Sequence, residues 1–289
     1  MKTNSIYKTS LLAAALLLAA TSCVKDELHD TPHPDKGKIT VSADWSDRGD
    51  GVDIPAEWTM TMGDYAGTET GETHAPDYLF NPGSYTLAAY NTPENITISG
   101  TTATVAPETG NGTYISHAPG WLFTSVQEVT VEADTDYELT AAMHQQVRQL
   151  TLVIEPTGDA ADRIESIEGS LSGAAGTLDF ATGAASDVTL HFTKLTEGSD
   201  AGKWSATIRL LGITGNTQTL TATLTYSDGN PADTSLESDL TAVLADFNAD
   251  KTVPLTLGGT IAETPTEAGV EAGIMDWEKI DGGGVDAEM

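Results

Sequence analysis

The stretch Lys38-Ile39-Thr40-Val41-Ser42-Ala43-Asp44-Trp45 decides the fold class. Ile39, Val41, Ala43 and Trp45 alternate with Thr40, Ser42 and Asp44, the period-two signature of a strand with one buried face. The rhythm returns downstream in Trp58, Met60 and Met62, and in Tyr85, Leu87 and Ala89 after the turn Asn81-Pro82-Gly83-Ser84. Ile96 and Ile98 make a short strand ending at Ser99-Gly100, and Val126 to Val131 and Tyr137 to Met143 flank a polar turn at 132–136. Short strands at spacings of roughly 8 to 15 residues, with turn chemistry between them, predict an antiparallel β-sandwich. No convincing helical stripe interrupts this half.

A second cycle opens at Val147. Leu150, Leu152 and Ile154 alternate with polar neighbours up to the turn Pro156-Thr157-Gly158-Asp159. Ile164, Ile167 and Leu171 continue with breaks at Gly169, Gly173, Gly176 and Gly183, and Ser172 to Gly176 reads as a hairpin. Strands follow at 188–195, 203–211, 220–226 and 253–257, Gly258-Gly259 reads as a turn, and Val270 to Ile280 is the last strand. One segment departs from the β rule: Leu236, Leu240, Val243, Leu244 and Phe247 recur at helical spacing. Thr234 with Glu237 forms a capping box, so a helix of about 13 residues is expected over one face of the second sandwich.

Upstream of Lys38 the chain changes character. Lys2 and Lys8 precede the apolar run Leu11 to Ala20, which ends in Ala20-Thr21-Ser22-Cys23. The run is too short to cross a hydrocarbon core of about 30 Å as a helix, so it reads as a secretory leader. Small residues followed by cysteine resemble a bacterial lipobox, in which the cysteine becomes the first mature residue and carries lipid. Ala20 stands where Leu is usual. An ordinary signal peptide ending near a buried cysteine is the plainer alternative. Cys23 is the only cysteine, which excludes internal disulfides and thiolate metal clusters. Palmitate-type acyl chains contribute about 0.8 kcal/mol per buried CH2, so a multiply acylated Cys23 would hold the chain on a membrane. Lys25-Asp26-Glu27 resembles the lysine-plus-acids signal that directs Bacteroidetes lipoproteins to the outer face of the outer membrane; by composition alone it is a charged spacer. Val24 to Gly37, with Pro32 and Pro34, reads as a tether. His29 and His33 have the spacing of helical metal ligands, but the prolines forbid a helix there.

The formal charge of −30, from 43 acids against 13 bases, becomes near −32 once Lys2 and Lys8 leave with the leader. Nucleic-acid binding is excluded, because it needs a basic footprint. The acids are dispersed, which suits solubility outside the cell. With 39% apolar residues the chain can still bury a core.

Catalytic and metal signatures are missing from the sequence. The six histidines show no His-Glu-x-x-His or other ligand spacing, no Gly-x-Ser-x-Gly elbow is present, and no phosphate loop precedes a helix. The expectation is a non-enzymatic protein without cofactors. Two acidic loops, one with Asp44, Asp47, Asp50 and Asp53 and one with Asp228, Asn230 and Asp233, lack the 12-residue calcium pattern. Arg48-Gly49-Asp50 is an integrin-type tripeptide of low specificity. Trp121, after Pro119-Gly120, is the candidate for sugar stacking, whereas Trp45, Trp58, Trp204 and Trp277 fall in strand patterns and read as core.

Taken together, the lipobox at Cys23, the strand ending Ala43-Asp44-Trp45, the segment Phe80 to Asn91 (FNPGSYTLAAYN), Val147 to Leu152 and Gly202 to Thr207 resemble the Bacteroidetes fimbrium subunit and anchor family, surface lipoproteins associated with type V pili. Phe80-Asn81 stands where the family has Leu-Pro. The resemblance implies a mainly β chain of two tandem transthyretin-like Greek-key sandwiches. The expected organisation is a signal peptide at 1–22, a lipidated N-terminus and tether at 23–37, sandwich domains at 38–146 and 147–281 with one helix in the second, and a flexible tail at 282–289. It also implies anchoring or assembly of fimbriae at the outer membrane in support of cell adhesion. The partners would be membrane lipid through Cys23 and other fimbrial subunits by β-strand addition, with Lys38 to Trp45 and Val270 to Ile280 as candidate donor or acceptor strands. The alternative is a glycan-binding surface lipoprotein of a polysaccharide-uptake system, with Trp121 and the acidic loops as its site and host or microbial glycans as ligands.

Overall fold

The computed structural model describes residues 32–110, 112–158, 161–192, 195–197, 202–229, 232–266 and 269–280. The chain runs through β1 (Gly37–Asp44), β2 (Trp58–Met62), β3 (Tyr65–Glu69), β4 (Thr73–His74), β5 (Leu79–Phe80), β6 (Gly83–Tyr90), β7 (Ile96–Ser99), β8 (Thr102–Val105), β9 (Tyr114–Ile115), β10 (Phe123–Val131), β11 (Thr135–Ala142) and β12 (His144–Gln145). It continues with β13 (Arg148–Thr157), β14 (Ile164–Asp179), β15 (Ala185–Phe192), β16 (Thr196–Glu197), β17 (Trp204–Leu210), β18 (Thr219–Tyr226), β19 (Thr234–Asp239), the single-turn helix α1 (Thr241–Leu244), β20 (Leu255–Thr266) and β21 (Gly269–Lys279).

The protein is mainly β, built as two two-layer sandwiches. In the first, β1 lies between β11 and the short strands β4 and β5, and faces a sheet ordered β12-β10-β6-β2-β3. Ile39, Val41, Trp58, Met60, Leu87 and Phe123 meet in its core, as the alternation at 38–45 requires. The second sandwich sets β16-β17-β13-β20-β21 against β19-β18-β14-β15-β9. Both differ from a purely antiparallel plan, because β1 pairs parallel with β11 and β13 parallel with β20.

The hairpin β7–β8 and the strand β9 cross from one sandwich to the other. β8 pairs with the far end of β14, β9 pairs parallel with β15, and Ile96, Ala103, Val105 and Ile115 are buried in the second core. Residues 96–115 precede Val147 in the chain yet complete the sandwich that follows it.

Three local expectations are corrected. The helical stripe from Leu236 is strand first: Thr234 to Asp239 pair with β18, and only Thr241–Leu244 is helical. Leu236 and Leu240 satisfy both periods, and six residues of β18 offer a ladder that tips the choice toward strand. Thr234 therefore does not cap a helix, and its hydroxyl donates to Ala232 O at 3.1 Å. Ser172 to Gly176 is no hairpin but a bulge inside the 16-residue β14, with Gly173 at φ +73° supplying the left-handed residue. Gly258-Gly259 is no turn but the middle of β20, where Gly259 lets a neighbouring ring approach: a Cβ there would sit 2.8 Å from Ile274 and 3.0 Å from Trp277.

If 96–115 belongs to the second core, Ile115→Ala, at a side chain 1% exposed, should cost about 2–5 kcal/mol in urea unfolding. Amide exchange should rise in β14 and β15 while β2 and β6 stay protected. Faster exchange confined to the first sandwich would contradict the assignment.

Candidate functional site

Two places join the chain's parts: where the N-terminal segment meets the body, and where the two sandwiches meet each other. At the first, Cys23, Lys25, Asp26 and Glu27 lie outside the described residues. The body takes hold at His33, within the segment read as tether. Its ring is buried, with Nε2 2.7 Å from Asp136 Oδ1 and Nδ1 3.0 Å from Lys36 O. Both ring nitrogens face acceptors, so the imidazolium is the form that donates to both. The pKa is raised accordingly, chiefly by the Lys36 carbonyl and then by Asp136, against the effect of burial. Asp134 N donates to the same Lys36 carbonyl at 2.8 Å, which fixes the segment to the β10–β11 turn. Sequence reasoning noticed His33 only as a rejected metal ligand; its partner lies 103 positions away.

At the second place, Gln145 is buried and fully used. Its Oε1 accepts the amide of Gly49 at 2.9 Å, and its Nε2 donates to Val147 O at 2.9 Å and Lys251 O at 2.6 Å. Arg148 extends the joint: Nε donates to Val253 O at 2.6 Å, Nη1 to Phe247 O at 2.7 Å, and its guanidinium lies 5.2 Å from the Phe247 ring centre. Burial draws its pKa down, and Asp250 acts in the opposite sense. The tripeptide Arg48-Gly49-Asp50 is part of this joint. Arg48 donates to Trp45 O, and Gly49 is buried so closely that a Cβ would strike the carbonyl of Thr252.

Trp121 is half-buried and packs against both cores. The Arg209 guanidinium lies 5.5 Å from its ring centre, and its carbonyl accepts Asn91 Nδ2 at 2.8 Å. Of the acidic loops, Asp44 accepts the Ser46 amide and Asp47 meets His144 at 2.6 Å, while Asn230 lies outside the described residues. Among the described residues, no group of three or more His, Cys, Asp or Glu side chains could hold a metal ion, and no helix is long and apolar enough to cross a membrane. The two expected docking strands differ in kind. β1 is paired on both sides, whereas β21, among the described residues, pairs with β20 alone. β21 is also latched to β19 across the sandwich edge, where Trp277 Nε1 donates to Ser238 Oγ at 2.8 Å.

The described residues thus form a mainly β body of two joined sandwiches, held at His33 where its described chain begins. Residues 61–281 match the family of fimbrillin-A associated anchor proteins Mfa1 and Mfa2, and the chain belongs to that family. Its role is accordingly fimbria-associated, at the cell surface. Solved structures agree in fold. The fimbrial anchor protein Mfa2 from Porphyromonas gingivalis superposes with a TM-score of 0.58 at 13% identity, covering 84% of this chain and 97% of its own. A candidate adhesin from Bacteroides ovatus gives 0.58 at 16% identity, covering 85% and 94%. A candidate polysaccharide-binding protein from Bacteroides thetaiotaomicron gives 0.54 at 12% identity, covering 85% and 99%. No curated protein sequence matches significantly.

A raised His33 pKa means the clamp contributes fully below the ordinary histidine value of 6.5 and is lost as pH rises through the folded value. Nitrogen-15 NMR should show His33 titrating above 6.5, with Asp136→Asn lowering that midpoint. A midpoint at or below 6.5 in the unmodified protein would refute the doubly donating ring.

Proposed function

We propose that the chain is a non-enzymatic outer-membrane lipoprotein that anchors or assembles fimbriae at the cell surface and so supports adhesion. Residues 1–22 are the signal peptide, Cys23 carries the acyl chains, and Lys25-Asp26-Glu27 direct the protein to the outer face. Fimbrial subunits join by strand addition, for which β21, with one ladder neighbour among the described residues, is the better-placed strand. The observation that carries this reading is membership of the anchor family in a chain whose only cysteine ends a leader-like apolar run. The Mfa2 structure, matched along 84% of this chain, supports the same reading. The glycan-binding alternative leans on Trp121, whose ring packs on both cores and is approached by Arg209, which leaves it a poor sugar platform.

Cys23→Ala tests the proposal in a fimbriated strain. Palmitate labelling of the protein should disappear, and fimbriae should move from the cells into the medium. Fimbriae that remain as firmly cell-bound under shear as in the parent strain would rule out the anchor role.

A further inference from the structure

The two sandwiches leave between them a cleft of about 600 Å³, within the size range of ligand sites and at the kind of junction where such sites concentrate. One wall is aliphatic, from Ala175, Leu178, Ala185, Leu211 and Ile213. The polar groups around the rest are, with one exception, already engaged. Asp47 is held by His144, and Gln146 Nε2 donates to Thr124 Oγ1 at 3.0 Å. Asn248 exchanges both its amide atoms with the backbone of Ile213, at 2.9 and 2.6 Å. Asp250 accepts the Thr252 amide and hydroxyl at 2.9 and 2.7 Å, with Arg148 acting on it electrostatically.

The exception is Lys251. Its Nζ donates to Leu211 O at 3.0 Å, its one hydrogen-bond acceptor among the described residues. An ammonium has three donors, so two remain unspent. A partly buried ammonium that meets only a neutral carbonyl keeps its charge uncompensated, and a neutral ligand would leave it so. Of the charged side chains that line the cleft, Asp47 meets His144 and Asp250 is acted on by Arg148, whereas among the described residues Lys251 meets only the Leu211 carbonyl.

We propose that this cleft is a binding site for an aliphatic carboxylate, ion-paired to Lys251 and packed along Leu178 and Ile213. Two sources carry that chemistry, a free branched or short-chain organic acid and the C-terminal carboxylate of another protein chain. Burial lowers the Lys251 pKa to about 8. The charged form that the ligand needs is therefore present at pH 7 and is depleted by pH 9, a roughly tenfold change in the protonated fraction. A lysine at its ordinary value would show almost no change over that range. This pH signature separates an ion-pairing Lys251 from one that merely packs.

The test is isothermal titration of the full chain with 4-methylpentanoate, and separately with an acetylated tripeptide ending in a leucine carboxylate, each beside its carboxamide. At least one carboxylate should bind saturably, with its carboxamide at least tenfold weaker and with affinity falling about tenfold from pH 7 to pH 9. Which of the two binds more tightly assigns the source. Lys251→Met should lower affinity at least tenfold. Ala185→Trp, which fills the cleft and leaves Lys251 in place, should do the same without depending on the folding of the lysine variant. The proposal is overturned if neither carboxylate binds, if carboxamide and carboxylate bind alike, if affinity is flat from pH 7 to pH 9, or if Ala185→Trp binds like the parent.

Discussion

Gln145 occupies the point on which the two sandwiches depend. One carboxamide accepts the amide of Gly49 from the first sandwich, and donates to Val147 in the linker and to Lys251 in the second. The group is 5% exposed, so any rotation of one sandwich against the other would strand buried polar atoms, at about 1–3 kcal/mol for each unmet group. Arg148 repeats the logic three residues later with three backbone carbonyls and a ring face. The exchange of residues 96–115 adds an apolar weld to these polar ones, since the first half of the chain cannot swing away without uncovering Val105 and Ile115. Trp121, in contact with both cores, closes the same seam.

These contacts bear on the proposed anchor role. The proposed anchor would carry load, and load passes best through a body without a hinge between its parts. Here the seam is pinned by hydrogen bonds and packing. Covalent geometry alone limits the distance from Cys23 to His33 to about 35 Å. The His33–Asp136 contact ties the start of the described chain to the body beside β1 and β11.

Much of the fold is legible in the sequence because a half-buried strand writes its environment every second residue. Ile39, Val41 and Ala43 are buried as their alternation implies. Legibility fails where one residue serves two patterns. Leu236 and Leu240 fit a helix and a strand alike, and only the availability of β18 decides between them. Glycine misleads similarly: Gly169 and Gly259 look like breaks, yet each marks where an aromatic ring, Phe192 or Trp277, comes down on the backbone. The joint was the least visible part. Gln145, Arg148 and Lys251 are polar residues in polar-looking stretches, and their burial arises from partners about a hundred positions away. The leader, Cys23 and the charged triplet are expectations from local sequence chemistry alone and lie outside the described residues.

The central claim is that the two sandwiches form one rigid unit. Spin labels at Thr68→Cys on β3 and Glu237→Cys on β19, both exposed and one in each sandwich, test it in a Cys23→Ala background. Pulsed electron–electron resonance should return a single narrow distance distribution, unchanged between low and high salt. A broad or two-peaked distribution would show that the sandwiches move independently and would contradict the account.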